Sequence, residues 1–185
     1  MGVHRMMPTK TMTGVIRRPA VFFDRDGTIN VDTGYPHRPE DLVFMPGAAA
    51  AIRRVNERGY FAFLVTNQSG IGRGYFSKAD VEAFHEHLRW ELRARGARID
   101  DIRYCPDHPD ELRGTTSFNI SWRKPAPGML LDLMQSWPVV PEHSLVVGDK
   151  QTDVEAATNA KLKGLLFTSG NLDEFLAPHL VHWNA

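Results

Sequence analysis

The stretch Ala20-Val21-Phe22-Phe23-Asp24-Arg25-Asp26-Gly27-Thr28 decides the fold. Four apolar residues in a row, with no polar alternation, predict a strand covered on both faces. The run stops at a carboxylate. Two later stretches repeat the pattern: Tyr60 to Val65 is nearly all apolar and ends at Thr66-Asn67-Gln68-Ser69-Gly70, and Leu145-Val146-Val147 ends at Gly148-Asp149. Shorter strands are predicted over Ile102 to Cys105 and Leu165 to Thr168. Helical patterns fall between these runs. An alanine-rich helix is expected over Ala48 to Arg58, opened by Pro46-Gly47 and closed by Gly59. A longer one runs from an N-cap at Ser77 to about Arg95, with Asp80 favouring its dipole and Val81, Phe84, His85, Leu88 and Leu92 on one face. Met129 to Gln135 and Thr152 to Lys161 complete the set, while Gly70, Gly72 and Gly74 predict a loop. Strands alternating with helices imply α/β architecture: a three-layer α/β/α sandwich around a parallel, Rossmann-like sheet. No large insertion follows Asp24 or Thr66, so no separate cap domain is expected. Ligands of such sheets bind beyond the carboxyl ends of the strands, where Asp24, Thr66 and Asp149 all stand.

The 185 residues suit one compact domain, expected over 20–185 behind a poorly ordered lead-in at 1–19. Lysine plus arginine equals aspartate plus glutamate, 22 of each, so the chain lacks the basic excess of a nucleic-acid partner. Cys105 is the one cysteine, so no intramolecular disulfide forms. No apolar run is long enough to span a bilayer, and the N-terminus has no apolar segment of the signal-peptide kind. A cytoplasmic monomer with neither membrane nor nucleic-acid partner is the expectation.

Asp24 and Asp26 stand two residues apart at a strand end. One carboxylate can attack phosphorus to give an aspartyl-phosphate, splitting a hard hydrolysis into two easier steps. The other can protonate the leaving oxygen and later deprotonate water. Gly27 supplies the tight backbone that such a loop needs. Mg²⁺ takes oxygen ligands, often one or two carboxylates plus water and substrate phosphate, and Asp24 and Asp149 could supply them, with Asp153 supporting from behind. The Thr66 hydroxyl can donate to a phosphoryl oxygen, and Lys124, in Arg123-Lys124-Pro125, is a candidate point charge to neutralise it. Each feature alone has a bland alternative: an Asp-Gly turn, a helix-start aspartate, a solvated lysine. His85, His87 and His108 could be read as metal ligands, but helix-face histidines are more often packed or solvated.

In order along the chain, Asp-x-Asp-Gly-Thr, then Thr, then Lys, then Gly-Asp-x-x-x-Asp resembles the haloacid dehalogenase (HAD) superfamily of phosphatases. More closely, Asp24 to Asn30, Gly34-Tyr35, Thr66 to Ile71, Arg123-Lys124-Pro125 and Gly148-Asp149-Lys150 look like the D-glycero-D-manno-heptose 1,7-bisphosphate 7-phosphatases, with histidinol-phosphate phosphatase domains as close relatives. The resemblance implies Asp24 as nucleophile and Asp26 as general acid/base, with Asp24, Asp149 and the Asp26 carbonyl on Mg²⁺. It implies substrate contacts from Asp32, Gly34, Tyr35, Thr66, Asn67, Gln68, Ser69, Arg123 and Lys150. The substrate would be a small phosphorylated metabolite, a sugar phosphate before histidinol phosphate. A catalytically silent, phosphometabolite-binding domain is the alternative of another class. The relatives also carry a structural zinc in the loop before Arg-Lys-Pro, held by Cys-x-His and Cys-x-Cys. Here Cys105-Pro106-Asp107-His108 keeps part of the first half, and Phe118-Asn119-Ile120-Ser121-Trp122 stands where the second belongs. Structural zinc is therefore not expected; Phe118, Ile120 and Trp122 are expected to pack the loop apolarly. The 106–125 loop and the 70–74 stretch are the expected lids.

Overall fold

The computed structural model describes residues 16–108 and 122–183. Five parallel strands form one sheet: β1 (Ala20–Phe23), β2 (Phe61–Asn67), β3 (Asp101–Cys105), β4 (Leu145–Gly148) and β5 (Lys163–Leu166), in the order β3-β2-β1-β4-β5. The helices are α1 (Ala48–Glu57), α2 (Ser69–Gly72), α3 (Lys78–Ala94), α4 (Gly128–Ser136), α5 (Gln151–Asn159) and α6 (Leu172–Leu176). β1 lies at the centre, with Val21 paired to Ala62 on one side and to Leu145 on the other. Its side chains alternate between two cores, as a pleated strand requires. Val21 and Phe23 join Leu64 and Val147 beneath α1, α3 and α6, while Ala20 and Phe22 join Phe63 and Val146 beneath α4 and α5. Because each face meets a helical layer, the central strands are apolar throughout.

The buried face of α3 is Val81, Phe84, His85, Leu88 and Leu92, and its start is a capping box. The Ser77 hydroxyl accepts from the Asp80 amide at 3.2 Å and the Asp80 carboxylate accepts from the Ser77 amide at 2.8 Å. Neither the 24–47 segment nor the 68–77 segment builds a further domain. Among the described residues no helix is long and apolar enough to cross a membrane.

Two expectations need correction, and one element is new. The stretch expected as a glycine loop contains a one-turn helix, α2, held by the Gly72 amide donating to the Pro106 carbonyl at 3.0 Å. β5 starts at Lys163 and ends at Leu166, so Phe167 and Thr168 lie past it. It is an edge strand with Lys163 and Leu166 exposed, so its sequence lacks the continuous apolar run that marks its neighbours. The short helix α6, capped by the Asn171 side chain on the Asp173 and Glu174 amides, was not anticipated. Most of the expected lead-in, and most of the 106–125 loop with Phe118 and Ile120, fall outside the described residues. Of the lead-in, Arg18 bridges Val139, and its amide donates to the Pro138 carbonyl at 3.0 Å.

Candidate active site

The carboxyl ends of β1, β2 and β4 meet at one point. Asp24 follows β1 and is locked to the neighbouring strand by its amide, which donates to the Val147 carbonyl at 2.8 Å. Thr66 lies near the end of β2, and Asp149 follows β4. Between the strands sits Lys124, 5% exposed. Its Nζ lies 2.6 Å from Asp24 Oδ1, 2.5 Å from Asp153 Oδ1 and 2.9 Å from the Val65 carbonyl. Asn67 places that lysine: its amide nitrogen donates to the Lys124 carbonyl at 3.1 Å and its amide oxygen accepts from the Lys124 amide at 3.0 Å.

A buried cation between two carboxylates is retained only if its charge is matched. Burial alone would pull the Lys124 ammonium down, but Asp24 and Asp153 outweigh it and hold the lysine above the usual amine range. Burial pushes Asp24 up to about 7, against the pull of Lys124 and with help from Asp153 and Asp26. Burial raises Asp149 as well, opposed by Lys150. Burial is the main cause of both shifts, and three carboxylates face the one buried ammonium of Lys124, which leaves a deficit of positive charge.

That deficit fits a cation. One oxygen each of Asp24, Asp149 and Asp153 lies within 4.8 Å of the others, and this is the one such cluster among the described residues. Asp149 Oδ1 is buried with no hydrogen-bond partner, as a ligand atom awaiting a metal would be. An all-oxygen donor set suits Mg²⁺. Asp153 also serves the fold, since its Oδ2 accepts from the Lys150 amide at 3.0 Å and caps α5. Two glycines let these aspartates approach. Gly27 has φ 86°, and a Cβ there would lie 2.3 Å from Asp149 Oδ2; a Cβ on Gly148 would lie 2.2 Å from Asp153 Cγ.

Above this cluster opens a cleft of about 490 Å³. Asp26, Asp32, Gly34, Tyr35, Asn67, Gln68, Ser69, Arg123, Lys124 and Lys150 line it, so every residue expected to touch substrate except Thr66 meets there. Thr66 joins Asp24 and Asp153 in a smaller recess of about 50 Å³ at its floor. Thr152 lines both spaces and was not anticipated from the sequence. Lys150 Nζ stands 3.5 Å from Asp32 Oδ2 across the mouth. Tyr35, at φ 61°, occupies the left-handed region that bulky residues rarely take, and its ring meets Tyr75 edge-on at 5.2 Å.

Asp26 is held by four donors. Arg25 Nε and Nη2 reach its two oxygens at 2.9 and 3.0 Å, and Asn30 and Gln68 side-chain amides each add a bond at 3.0 Å. Sequence reasoning passed over Arg25 and Asn30. An arginine between two aspartates reads as solvated, and only its complete burial shows otherwise. The histidines do not gather: His85 is buried against Arg25, His87 stacks on Trp90, and His108 accepts from Arg73 at 2.7 Å. Cys105 is buried and free, with its thiol pushed up by that burial, and Trp122 packs on the core cluster that contains it.

Known proteins are similar to this chain in sequence and in fold. The HAD-hydrolase-like family model matches residues 121–182, which carry Lys124, Asp149 and Asp153. The chain is 47% identical to the D-glycero-beta-D-manno-heptose-1,7-bisphosphate 7-phosphatase of Rhodopseudomonas palustris, over 89% of this chain and 92% of that one. Its fold is similar to the crystal structure of a HAD-like phosphatase from Mesorhizobium loti, with TM-score 0.76, 36% identity, and coverage of 90% of this chain and 76% of that one. It is also similar to the D,D-heptose 1,7-bisphosphate phosphatase from B. bronchiseptica, crystallised with magnesium and phosphate, with TM-score 0.73, 32% identity and 86% of each chain covered. At this identity and coverage, the chain belongs to the HAD-like family of D-glycero-D-manno-heptose-1,7-bisphosphate 7-phosphatases.

Proposed function

We propose that this chain removes the 7-phosphate of D-glycero-D-manno-heptose 1,7-bisphosphate, with Asp24 as nucleophile and Asp26 as general acid and base. The observation that carries the reading is the pairing of Asp24 with Lys124 at 2.6 Å, on the floor of a cleft that Asp26 also lines. A binding module has no need of a buried carboxylate aimed into a phosphate-sized recess beside a second carboxylate and a cation.

In the first step an Asp24 oxygen forms a bond to phosphorus as the bond from phosphorus to the sugar oxygen breaks, and Asp26 gives that oxygen its proton. In the second step Asp26 takes a proton from water, which attacks the aspartyl-phosphate and returns Asp24 as a carboxylate with release of phosphate. Lys124 offsets charge on the phosphoryl oxygens throughout, and the Thr66 hydroxyl donates to one of them. Mg²⁺, when bound by Asp24, Asp149 and the Asp26 carbonyl with Asp153 supporting, supplies the remaining positive charge. Arg123 and Lys150, both on the cleft wall, suit the second phosphate or sugar hydroxyls, and Asp32 accepts from a hydroxyl. The name of the Rhodopseudomonas relative supports the substrate. Zero net charge supports action on a small molecule rather than a polyanion, and a cytoplasmic monomer is part of the proposal.

Phosphate release with Mg²⁺ from both anomers of heptose 1,7-bisphosphate, histidinol phosphate and fructose 1,6-bisphosphate tests the reading, with Asp24→Asn in parallel. A heptose anomer leading the panel, with turnover abolished in the variant, is expected. Histidinol phosphate in the lead, or activity surviving in Asp24→Asn, would overturn it.

A further inference from the structure

We infer that Arg25 and His85 form a buried positioning relay that fixes Asp26 for proton transfer and ties it to the substrate-binding loop. The inference rests on the acid/base role given to Asp26 above. Arg25 is wholly buried, a position an arginine holds only when its donors are matched. They are matched here. Nε and Nη2 grip the two Asp26 oxygens side by side, Nη2 also donates to the Pro36 carbonyl at 2.7 Å, and Nη1 lies 3.2 Å from His85 Nε2. The guanidinium plane rests over the Phe84 ring, 4.5 Å from its centroid. One planar group therefore joins three elements: the Asp24–Asp26 turn, the loop carrying Asp32, Gly34 and Tyr35, and α3.

The protonation pattern follows from the donors. Arginine has no acceptor, so His85 must receive at Nε2 and carry its own proton at Nδ1. Burial, with Arg25 and Arg89 adding, pushes His85 down to about 3, so the imidazole stays neutral in the working range of pH. A side-by-side pair of N–H groups fixes the plane of a carboxylate, which a lysine cannot do. Asp26 remains open to the cleft while it is held, with 15% of its side chain exposed.

The test is a double-mutant cycle on kcat/KM with heptose 1,7-bisphosphate, beside two activated phosphates, p-nitrophenyl phosphate and acetyl phosphate. Nitrophenolate and acetate leave without a proton, so their kcat/KM does not need the acid. Arg25→Met should cost roughly 100-fold on the sugar phosphate and less than about 3-fold on the activated pair, the range of general acid catalysis. In an Asp26→Asn background the same change should cost less than about 3-fold, because both act through one carboxylate. His85→Leu should show the same selective loss more weakly, and His85→Gln, which keeps an acceptor, should restore the rate on the sugar phosphate; this pair decides the matter if Arg25→Met does not fold. Losses that multiply in the cycle, or that fall equally on all three substrates, would overturn the relay alone. Asp26→Asn without selectivity between the substrates would overturn both the relay and the acid/base role beneath it.

Discussion

Lys124→Met removes a charge while keeping much of the volume, and the structure sets the size of the effect. Lys124, Asp24 and Asp153 are buried together, with side chains 4%, 8% and 3% exposed. Taking away the cation leaves two carboxylates in a poorly solvated place. Breaking one buried pair in this way costs about 3–5 kcal/mol, which for a chain of this length lowers Tm by roughly 6–20 °C. The cost depends on pH. Asp24 already stands at about 7, and Lys124 is the main influence holding it down, so its removal raises Asp24 further. A carboxyl raised in the folded state favours folding below its unfolded value, about 4, and that support is lost as pH rises through the folded value. Urea unfolding in EDTA at pH 5.5 and 8.5 should therefore show the larger loss at pH 8.5. At pH 5.5 Asp24 takes up a proton and the loss shrinks. A loss below about 1 kcal/mol at pH 8.5, or equal losses at the two values, would refute the claim that these charges are matched and desolvated.

Three further outcomes follow from the carboxylate cluster. Mg²⁺ at a hundredfold excess over its Kd should stabilise the wild type by about 2.7 kcal/mol, more effectively at pH 8 than at pH 5.5 because protons compete for the raised aspartates. Asp149→Asn should lose most of that gain in a thermal melt, and an undiminished gain would remove Asp149 from the ligand set. Gly27→Ala places a methyl 2.3 Å from Asp149 Oδ2 at φ 86°. It should cost about 1–2 kcal/mol of strain and weaken Mg²⁺ binding in calorimetry, and unchanged affinity would show that the glycine does not set the aspartate.

What could be read from the sequence divides along physical lines. β1, β2 and β4 were legible because strands buried on both faces are written as unbroken apolar runs, and Asp24, Thr66 and Asp149 stand at the carboxyl ends of those runs, where the candidate site forms. The buried face of α3 was legible from its spacing, including His85. β5 was displaced because an edge strand tolerates Lys163 and Gly164 at its start. The helix α2 was missed because glycine disfavours helix, and it is held instead by distant contacts: the Pro106 carbonyl and the Phe76 ring, which a Cβ on Gly70 would meet at 2.2 Å. The candidate site was legible as a set of residue types in order, but not the support behind it. Arg25, Asn30 and the double use of the Gln68 amide, on Asp26 and on Thr66 Oγ1 at 2.9 Å, depend on orientation, which spacing does not encode. Asn67 lines the cleft as expected, and its two bonds to the Lys124 backbone are a further use that its place in the sequence does not encode.

At the far end of the sheet, Trp183 closes a clasp. Its indole N–H donates to the Arg17 carbonyl at 3.2 Å and its backbone amide to the Arg58 carbonyl at 2.9 Å. β1 runs from this end toward Asp24, so the clasp and the cleft lie at opposite poles of the strands. Residues 17 and 183 are thus near enough to be spliced by a short glycine-serine link and the chain reopened elsewhere, at an exposed turn such as 95–96. A circular permutant of that design would keep all three aspartates on uncut segments. Anchoring the protein to a surface from either side of the clasp would leave the mouth of the cleft facing the solution.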